Sequence, residues 1–144
     1  MNVRQIIGQK PIKSVATISA NETLSRAASE LASKKIGALV VSEAGASVEG
    51  ILSERDLVRR MASDGAACGA ILVSEAMIAK VITCAPSDTA VSVLQRMTEG
   101  RFRHMPVVED GALIGLISIG DVVKARMDEI EMENQAMEDM IKGV

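Results

Sequence analysis

The pattern of apolar and polar positions along this chain occurs twice, in two stretches that have the same order of elements. Apolar residues recur at spacings of three and four over residues 24–32 and again over residues 90–97. This period is that of a helix with one buried face. Thr23 and Thr89 stand just before these stretches, where a hydroxyl can cap the first helical turn. We therefore expect two amphipathic helices of similar length.

Short apolar runs flank both predicted helices and indicate strands. One run precedes each helix and two runs follow it, at residues 15–18, 38–42 and 48–52 in the first stretch and at 81–84, 105–108 and 113–117 in the second. Nearly continuous apolar character is typical of strands covered on both faces. A further helix is predicted after the last run, over 54–63 and from residue 120 onward. Each stretch thus has the order β-α-β-β-α.

The two stretches are copies of one plan. Thr17 and Thr83 are separated by 66 positions, and so are Gly45 and Gly111. After that turn the separation falls to 65, because the first copy carries one extra residue in its hairpin loop, a change that costs little. The sequence therefore predicts an internal repeat.

The predicted fold class is α/β (α+β), with two β-α-β-β-α repeats and a C-terminal helical extension. The boundaries assigned from the sequence place a lead-in, the first repeat and a small-residue linker in 1–70, the second repeat in 71–129, and the helical extension in 130–144. One-turn helices at 3–7 and 73–78 are expected to lead into the two copies.

The last helix is predicted to continue well past its counterpart. Its apolar positions alternate at spacings of four and three, as in a heptad repeat with one Asn in the seam, at Val123, Met127, Ile130, Asn134, Met137 and Ile141. Such a helix can lie on its own domain or pair with a helix of another molecule. The pattern alone leaves both arrangements open.

Composition and charge exclude several classes of partner. The net charge of −3 and pI near 5.2 argue against nucleic acid, which requires clustered Lys and Arg. No apolar run reaches the roughly 18 residues of a membrane-spanning helix, and no signal-peptide pattern is present. We expect a cytoplasmic protein without membrane contact. Cys68 and Cys84 lie in unrelated settings and predict plain thiols rather than a metal or redox site.

The sharpest chemical feature is a repeated Gly-x-x-Ser-x-x-Asp that ends with Ser53 and Asp56 in one copy and with Ser118 and Asp121 in the other. The serine hydroxyl lies where a predicted strand ends and a predicted helix begins. The aspartate carboxylate lies in the first turn of that helix, and its negative charge stabilises the helix N-terminus. There the pair can cap the helix. It can also hold a phosphate and a ribose, as an acidic residue does in dinucleotide folds.

Taken together, these motifs resemble a tandem pair of CBS domains, also called a Bateman module. The resemblance covers residues 10 to about 130. It rests on Thr17 and Thr83 and on four motifs, Gly37-Ala-Leu-Val-Val41, Arg103-His-Met-Pro-Val-Val108, Gly50-Ile-Leu-Ser-Glu-Arg-Asp-Leu57 and Gly115-Leu-Ile-Ser-Ile-Gly-Asp-Val122. It implies that the repeats pack about a pseudo-twofold axis and leave two clefts for adenosine ligands such as AMP, ADP, ATP, NAD(H) or S-adenosylmethionine.

The resemblance also implies roles for individual residues. Aspartates 56 and 121 would hold the ribose, and serines 53 and 118 would contact ribose or phosphate. The adenine pocket would be formed by Thr17, Ile18, Ala38, Leu39, Thr83, Cys84, His104, Met105 and Pro106. Candidates for the phosphates are Arg55, Arg101 and Arg103. The first copy has no counterpart to Arg103, His104 and Pro106, so tighter binding is expected at the second corner.

The resulting hypothesis is a stand-alone regulatory protein, not an enzyme, that senses adenine nucleotides and signals to a separate partner. It would use no catalytic cofactor and form a homodimer. His104 is the sole histidine, and no Cys cluster accompanies it, so catalysis and metal binding are not expected of it. The alternative hypothesis is a dimeric scaffold whose pockets are vestigial.

Overall fold

Each repeat forms a small sheet flanked by helices. The computed structural model describes residues 1–143, and Val144, the last residue of the expected extension, lies outside them. The helices are α1 (Val3–Gln9), α2 (Leu24–Lys34), α3 (Glu54–Asp64), α4 (Val73–Ala76), α5 (Ala90–Gly100) and α6 (Ile119–Ile141), with a 3₁₀ segment at Gly65–Ala70. The strands are β1 (Thr17–Ile18), β2 (Ala38–Val41), β3 (Gly50–Ser53), β4 (His104–Glu109) and β5 (Ala112–Ser118). The predicted fold class is confirmed.

The two sheets share one pairing scheme. In the first, β1 pairs in parallel with β2, and β2 pairs antiparallel with β3. In the second, β4 pairs antiparallel with β5, and Cys84 makes one parallel bridge to Val107. That bridge is the counterpart of Ile18 with Val41, because both members are 66 positions further along. The helices of the two repeats also agree, since Thr23 and Thr89 both cap them as predicted.

The strand predicted over residues 81–84 is reduced to that single bridge. In the first repeat the Val40 N–H donates to the Ala16 carbonyl at 3.1 Å. The residue equivalent to Val40 is Pro106, which has no N–H to donate. The carbonyl equivalent to that of Ala16 belongs to Ile82 and therefore lacks this donor, while the neighbouring Thr83 carbonyl accepts a hydrogen bond from the Arg96 guanidinium at 3.0 Å. One proline thus accounts for the shorter pairing.

Two helices end in a left-handed residue that is not glycine. The residues in the left-handed conformation after α2 and α5 are Lys35 (φ 54°) and Arg101 (φ 57°). They are equivalent positions of the repeat. Gly100 is still helical, and the Phe102 ring packs so closely on it that a Cβ there would overlap the ring. Glycine is needed at this position for space rather than for helix termination.

The lead-in helices cross over, so that each docks on the repeat it does not precede in sequence. The Val3 N–H donates to the Asp88 carbonyl, and the Val73 N–H donates to the Glu22 carbonyl, both at 2.8 Å. These acceptors occupy equivalent positions of the two repeats. The pseudo-twofold relation therefore extends to the lead-in helices.

Two separate hydrophobic cores result from the crossing. The first contains Leu24, Leu39 and Leu52 together with Val73 from α4. The second includes Met97, Met105 and Ile117 together with Val3 and Ile6 from α1. Each core therefore includes residues from both sides of the boundary assigned at residue 70. Neither half of the sequence holds all the side chains that fill one core.

Replacing Ile6 by alanine should destabilise the protein by about 2–4 kcal/mol, because Ile6 is 4% exposed and its loss leaves a cavity in the second core. Urea unfolding measures the change. Ile12→Ala is the matched control, since Ile12 is 67% exposed and lies just beyond the same helix. Equal effects of the two substitutions would contradict the crossed packing.

Candidate ligand-binding cleft

A cleft of about 870 Å³ lies between the two repeats. One wall is the end of α1 and the segment after it, residues 7–16, and a second is residues 36–38 before and within β2. The third comes from the other repeat and includes residues 114–116, Ser118 and Asp121. Because the walls belong to both repeats, a bound molecule would touch both at once.

Ser118 and Asp121 close one end of the cleft and cap α6. The Asp121 N–H donates to Ser118 Oγ at 3.1 Å, and the Ser118 N–H donates to Asp121 Oδ2 at 2.9 Å. Burial acts to raise the pKa of Asp121, but the bonds from Ser118 and the Lys10 ammonium outweigh it, so the pKa lies below its usual value. Within residues 1–143, Asp121 Oδ1 accepts no hydrogen bond, so one oxygen remains available to a ligand.

Lys10 links α1 to this corner. Its Nζ lies 3.0 Å from Asp121 Oδ2 and donates to the Leu116 carbonyl at 2.8 Å. The carboxylate is 24% exposed and the lysine side chain 31% exposed. The pair is therefore accessible from the cleft. A ligand that binds the Asp121 carboxylate would also lie close to the Lys10 ammonium.

Further cations line the same cleft. Lys34 is paired with Glu30 and Arg4 with Glu109, while Lys13 donates to the Gly8 carbonyl. Among the described residues that line this cleft, Asp121 is the one carboxylate. The chain as a whole carries a net charge of −3, so the cleft concentrates positive charge on an acidic protein.

His104 stands at the contact between the repeats. A Cβ added to Gly37 would lie 3.2 Å from the imidazole and 3.1 Å from Glu54 Oε1, so glycine lets the two repeats approach here. Burial lowers the pKa of His104; Glu54 and Asp121 oppose this, while Lys10 and Arg103 add to it. The neutral imidazole is the favoured form at neutral pH.

The equivalent corner of the first repeat is occupied by protein groups. Asp56 is 5% exposed, and its Oδ2 accepts from the Ser53 N–H at 2.8 Å and from Ser53 Oγ at 3.0 Å. Its Oδ1 accepts from Arg59 at 3.3 Å. Both serine–aspartate pairs therefore cap their helices, but both Asp56 oxygens already have partners.

The segment after α4 also covers this first corner. Ile78 exchanges two backbone hydrogen bonds with Ile51 of β3, at 3.0 and 2.9 Å. A Cβ on Gly50 would lie 2.5 Å from Met77 Sδ. The corresponding lead-in from Val3 to Thr17 is four residues longer than that from Val73 to Thr83, and three of the extra residues lengthen α1 itself. The longer segment forms a wall of the open cleft instead.

The structure brings together four of the residues assigned to binding from the sequence, namely Ala38, His104, Ser118 and Asp121. The side chains of Ile18, Leu39, Cys84, Met105 and Pro106 are buried. The side chains of Arg55, Arg101 and Arg103 are exposed and do not line the cleft. Thr17 and Thr83 do not line it either. The ligand roles of all these residues stay predictions.

Lys10, Lys13, Lys34 and Arg4 were not recognised as site residues from the sequence. Lys10 and Lys13 belong to Lys-Pro-Ile-Lys, a short basic cluster after α1 in an otherwise acidic chain. That cluster is the signal that sequence reasoning could have used. Its position against the second repeat follows only from the crossed lead-in helix.

Other chemistry has little support within residues 1–143. Burial raises the pKa of Cys84 to about 11, so its thiol stays protonated and weakly donates to the Pro106 carbonyl. No group of three or more His, Cys, Asp or Glu side chains in this part of the chain is arranged to hold a metal ion. None of its helices combines the length and apolar content of a membrane span.

Comparison with known proteins shows the same repeat. The family model of the CBS domain matches residues 3–63 and 73–128. The mitochondrial CBS domain-containing protein CBSX3 of Arabidopsis thaliana is 35% identical over 127 residues, which are 85% of this chain and 62% of that protein. The chain thus spans somewhat under two thirds of that relative.

Solved structures agree with this comparison. A CBS-domain containing protein from Agrobacterium tumefaciens is 44% identical, with a TM-score of 0.83 over 88% of this chain and 99% of the other. A CBS domain pair solved with 5-methylthioadenosine and S-adenosyl-L-methionine superposes with a TM-score of 0.76 at 21% identity, over 87% of this chain and 98% of that one. The chain therefore belongs to the CBS-domain family and contains two CBS domains in tandem.

Proposed function

We propose that this CBS pair is a regulatory module that binds a phosphate-bearing adenine nucleotide, AMP, ADP, ATP or NAD(H), in the cleft between its repeats. The observation that carries the proposal is the position of the Asp121 carboxylate beside Lys10 in a cleft lined by further cations. A carboxylate can accept hydrogen bonds from two neighbouring ribose hydroxyls, as in dinucleotide folds. The lysines would neutralise the phosphates.

The remaining walls suit a flat, weakly polar base. The apolar lining of the cleft includes Ile36, Ala38 and Ile114, and Val15 and Ala16 add further apolar surface. Backbone groups at the strand ends offer donors and acceptors without a charged side chain. A pocket that is mostly apolar with a few convergent polar groups is typical of small-molecule sites.

The charge of the cleft favours an anion within the class of adenosine ligands. The related structure solved with S-adenosyl-L-methionine shows that this fold accommodates an adenosine ligand whose sulfonium is cationic. Here Lys10, Lys13 and Lys34 would oppose such a cation and attract phosphates. We therefore expect nucleotides to bind more tightly than S-adenosylmethionine.

Regulation would follow from the shared walls of the cleft. A ligand that contacts both repeats favours the packing in which both sets of contacts form, and it shifts the equilibrium by its difference in affinity between two states. CBS-domain proteins of this kind are generally regulatory. The signal would pass to a separate regulated protein, and a homodimer would offer a second surface for it.

Asp121→Asn should weaken nucleotide binding by roughly 1.5–3 kcal/mol, the usual value of hydrogen bonds to a charged group. Isothermal titration calorimetry with AMP, ATP and NADH measures the change, and Asp56→Asn is the control at the equivalent cap. Absence of binding heat for the unsubstituted protein at millimolar ligand would favour the alternative function, an interaction scaffold.

Lys10→Met should weaken the binding of ATP more than that of adenosine, because it removes a cation near the expected phosphates. The substitution also releases Asp121 from its ion pair. Competition calorimetry with the two ligands gives the ratio of affinities. Lys80→Met is the control, since Lys80 is exposed and lies in the segment after α4, outside the lining of the cleft. An equal loss for both ligands would assign Lys10 to the ribose end instead.

Stability should fall as the pH is lowered through about 6.5, the ordinary pKa of histidine. The pKa of His104 is lower in the folded protein, so below pH 6.5 the unfolded chain binds a proton that the folded chain does not. Urea unfolding between pH 5 and 8 should show this slope, and His104→Gln should flatten it. The carboxyls with lowered pKa, Glu30, Asp88, Asp121 and Glu129, titrate below this window. An unchanged slope in the variant would refute the assignment to His104.

A further inference from the structure

Large apolar side chains on the outer face of α6 are exposed in the described part of the chain, residues 1–143. We define its seam as Val123, Met127, Ile130, Asn134, Met137 and Ile141. The apolar members are 42% (Val123), 61% (Met127), 45% (Ile130), 61% (Met137) and 83% (Ile141) exposed. The buried residues of α6, Val122 and Ala125, point toward the second repeat from the other side of the helix. The apolar members of the seam are therefore exposed to solvent on the side of α6 away from its buried residues.

The charges beside the seam are sorted along the helix. Lys124 and Glu131 lie on one flank, and Arg126 and Glu133 lie on the other, each pair two turns apart. On both flanks the cation is nearer the start of the helix and the glutamate nearer its end. Lys124, Glu131 and Glu133 take part in none of the ion pairs found within residues 1–143.

We propose that the seam pairs with the same seam of a second copy of this chain, with the two α6 helices antiparallel. When Met127 lies opposite the partner's Ile130, the flanks bring Lys124 to the partner's Glu131 and Arg126 to the partner's Glu133. Twofold symmetry repeats both pairs, so every flanking contact joins opposite charges. Arg126 now pairs with Glu129 of its own helix at 2.6 Å and would be shared between the two glutamates.

Parallel pairing is disfavoured by the same charges. It would bring Arg126 to the partner's Glu131, but it would also set Glu133 against the partner's Glu138 on both sides. Residues 128–142 contain six acidic side chains and one lysine, and a parallel pair would align two such stretches. Helix dipoles oppose that alignment as well.

Packing along the seam is compatible with the antiparallel register. Met127 and Ile130 form the central layers with their partners. Met137 falls over the partner's Gly120, which has no side chain and is exposed. Asn134 faces the partner's Val123 in an outer layer, where water can still reach the amide. A parallel pair would instead join two Asn134 amides, which coiled coils also use.

Charge exchange tests the proposal. Sedimentation of the full chain at 50 mM salt should show that Lys124→Glu and Glu131→Lys each weaken dimerisation about tenfold, since each turns two attractive contacts into repulsive ones. The double variant should return within about twofold of the original affinity. A double variant as weak as the single ones would overturn the antiparallel register. A chain that stays monomeric at 100 µM would overturn the pairing itself.

Two further variants separate other arrangements. Glu138→Lys lies beyond the antiparallel overlap and should leave the affinity unchanged, whereas it would strengthen a parallel pair; strengthening therefore contradicts the proposal. Ile130→Glu should abolish the dimer. Val58→Glu, at an exposed apolar position of α3, should not. If Val58→Glu alone breaks the dimer, the interface lies elsewhere. Thermal unfolding of each variant confirms that the monomer fold is intact.

Discussion

Each half of this chain supplies a helix to the hydrophobic core of the other half, and the rest of the structure depends on that exchange. Val3 and Ile6 enter the second core, and Val73 enters the first. The two repeats therefore cannot separate without exposing apolar surface in both. The exchange holds the repeats side by side, which is the condition for a cleft with walls from both sides.

The crossing also accounts for the chemistry of the cleft. Since α1 docks on the second repeat, its end carries Lys10 to the Asp121 carboxylate, 111 positions away in the sequence. The segment after α4 lies against β3 instead, where Ile78 pairs with Ile51. A lead-in that is longer by four residues, three of them within α1, thus distinguishes the open corner from the covered one. The duplicated serine–aspartate pairs remain alike as helix caps and differ in what surrounds them.

The sequence predicted most of the fold because its signals are local. Helix periodicity, threonine caps and the repeat offset needed no knowledge of packing, and they located α2, α5 and the strand pairs. The strand around Cys84 was overestimated because the missing N–H belongs to Pro106, which is distant in sequence. At the site, Ser118 and Asp121 were found from their motif. Lys10 was missed because nothing local reveals which repeat the lead-in helix contacts.

The exchange of lead-in helices also bears on the origin of the chain. A single ancestral repeat with its own lead-in helix would lack the apolar side chains that complete its core. Two identical copies could supply them to each other and form an obligate homodimer with a true twofold axis. Duplication and fusion of the gene would convert exchange between molecules into exchange within one. In such a fused chain the corners at Asp56 and Asp121 can differ, which identical subunits do not permit.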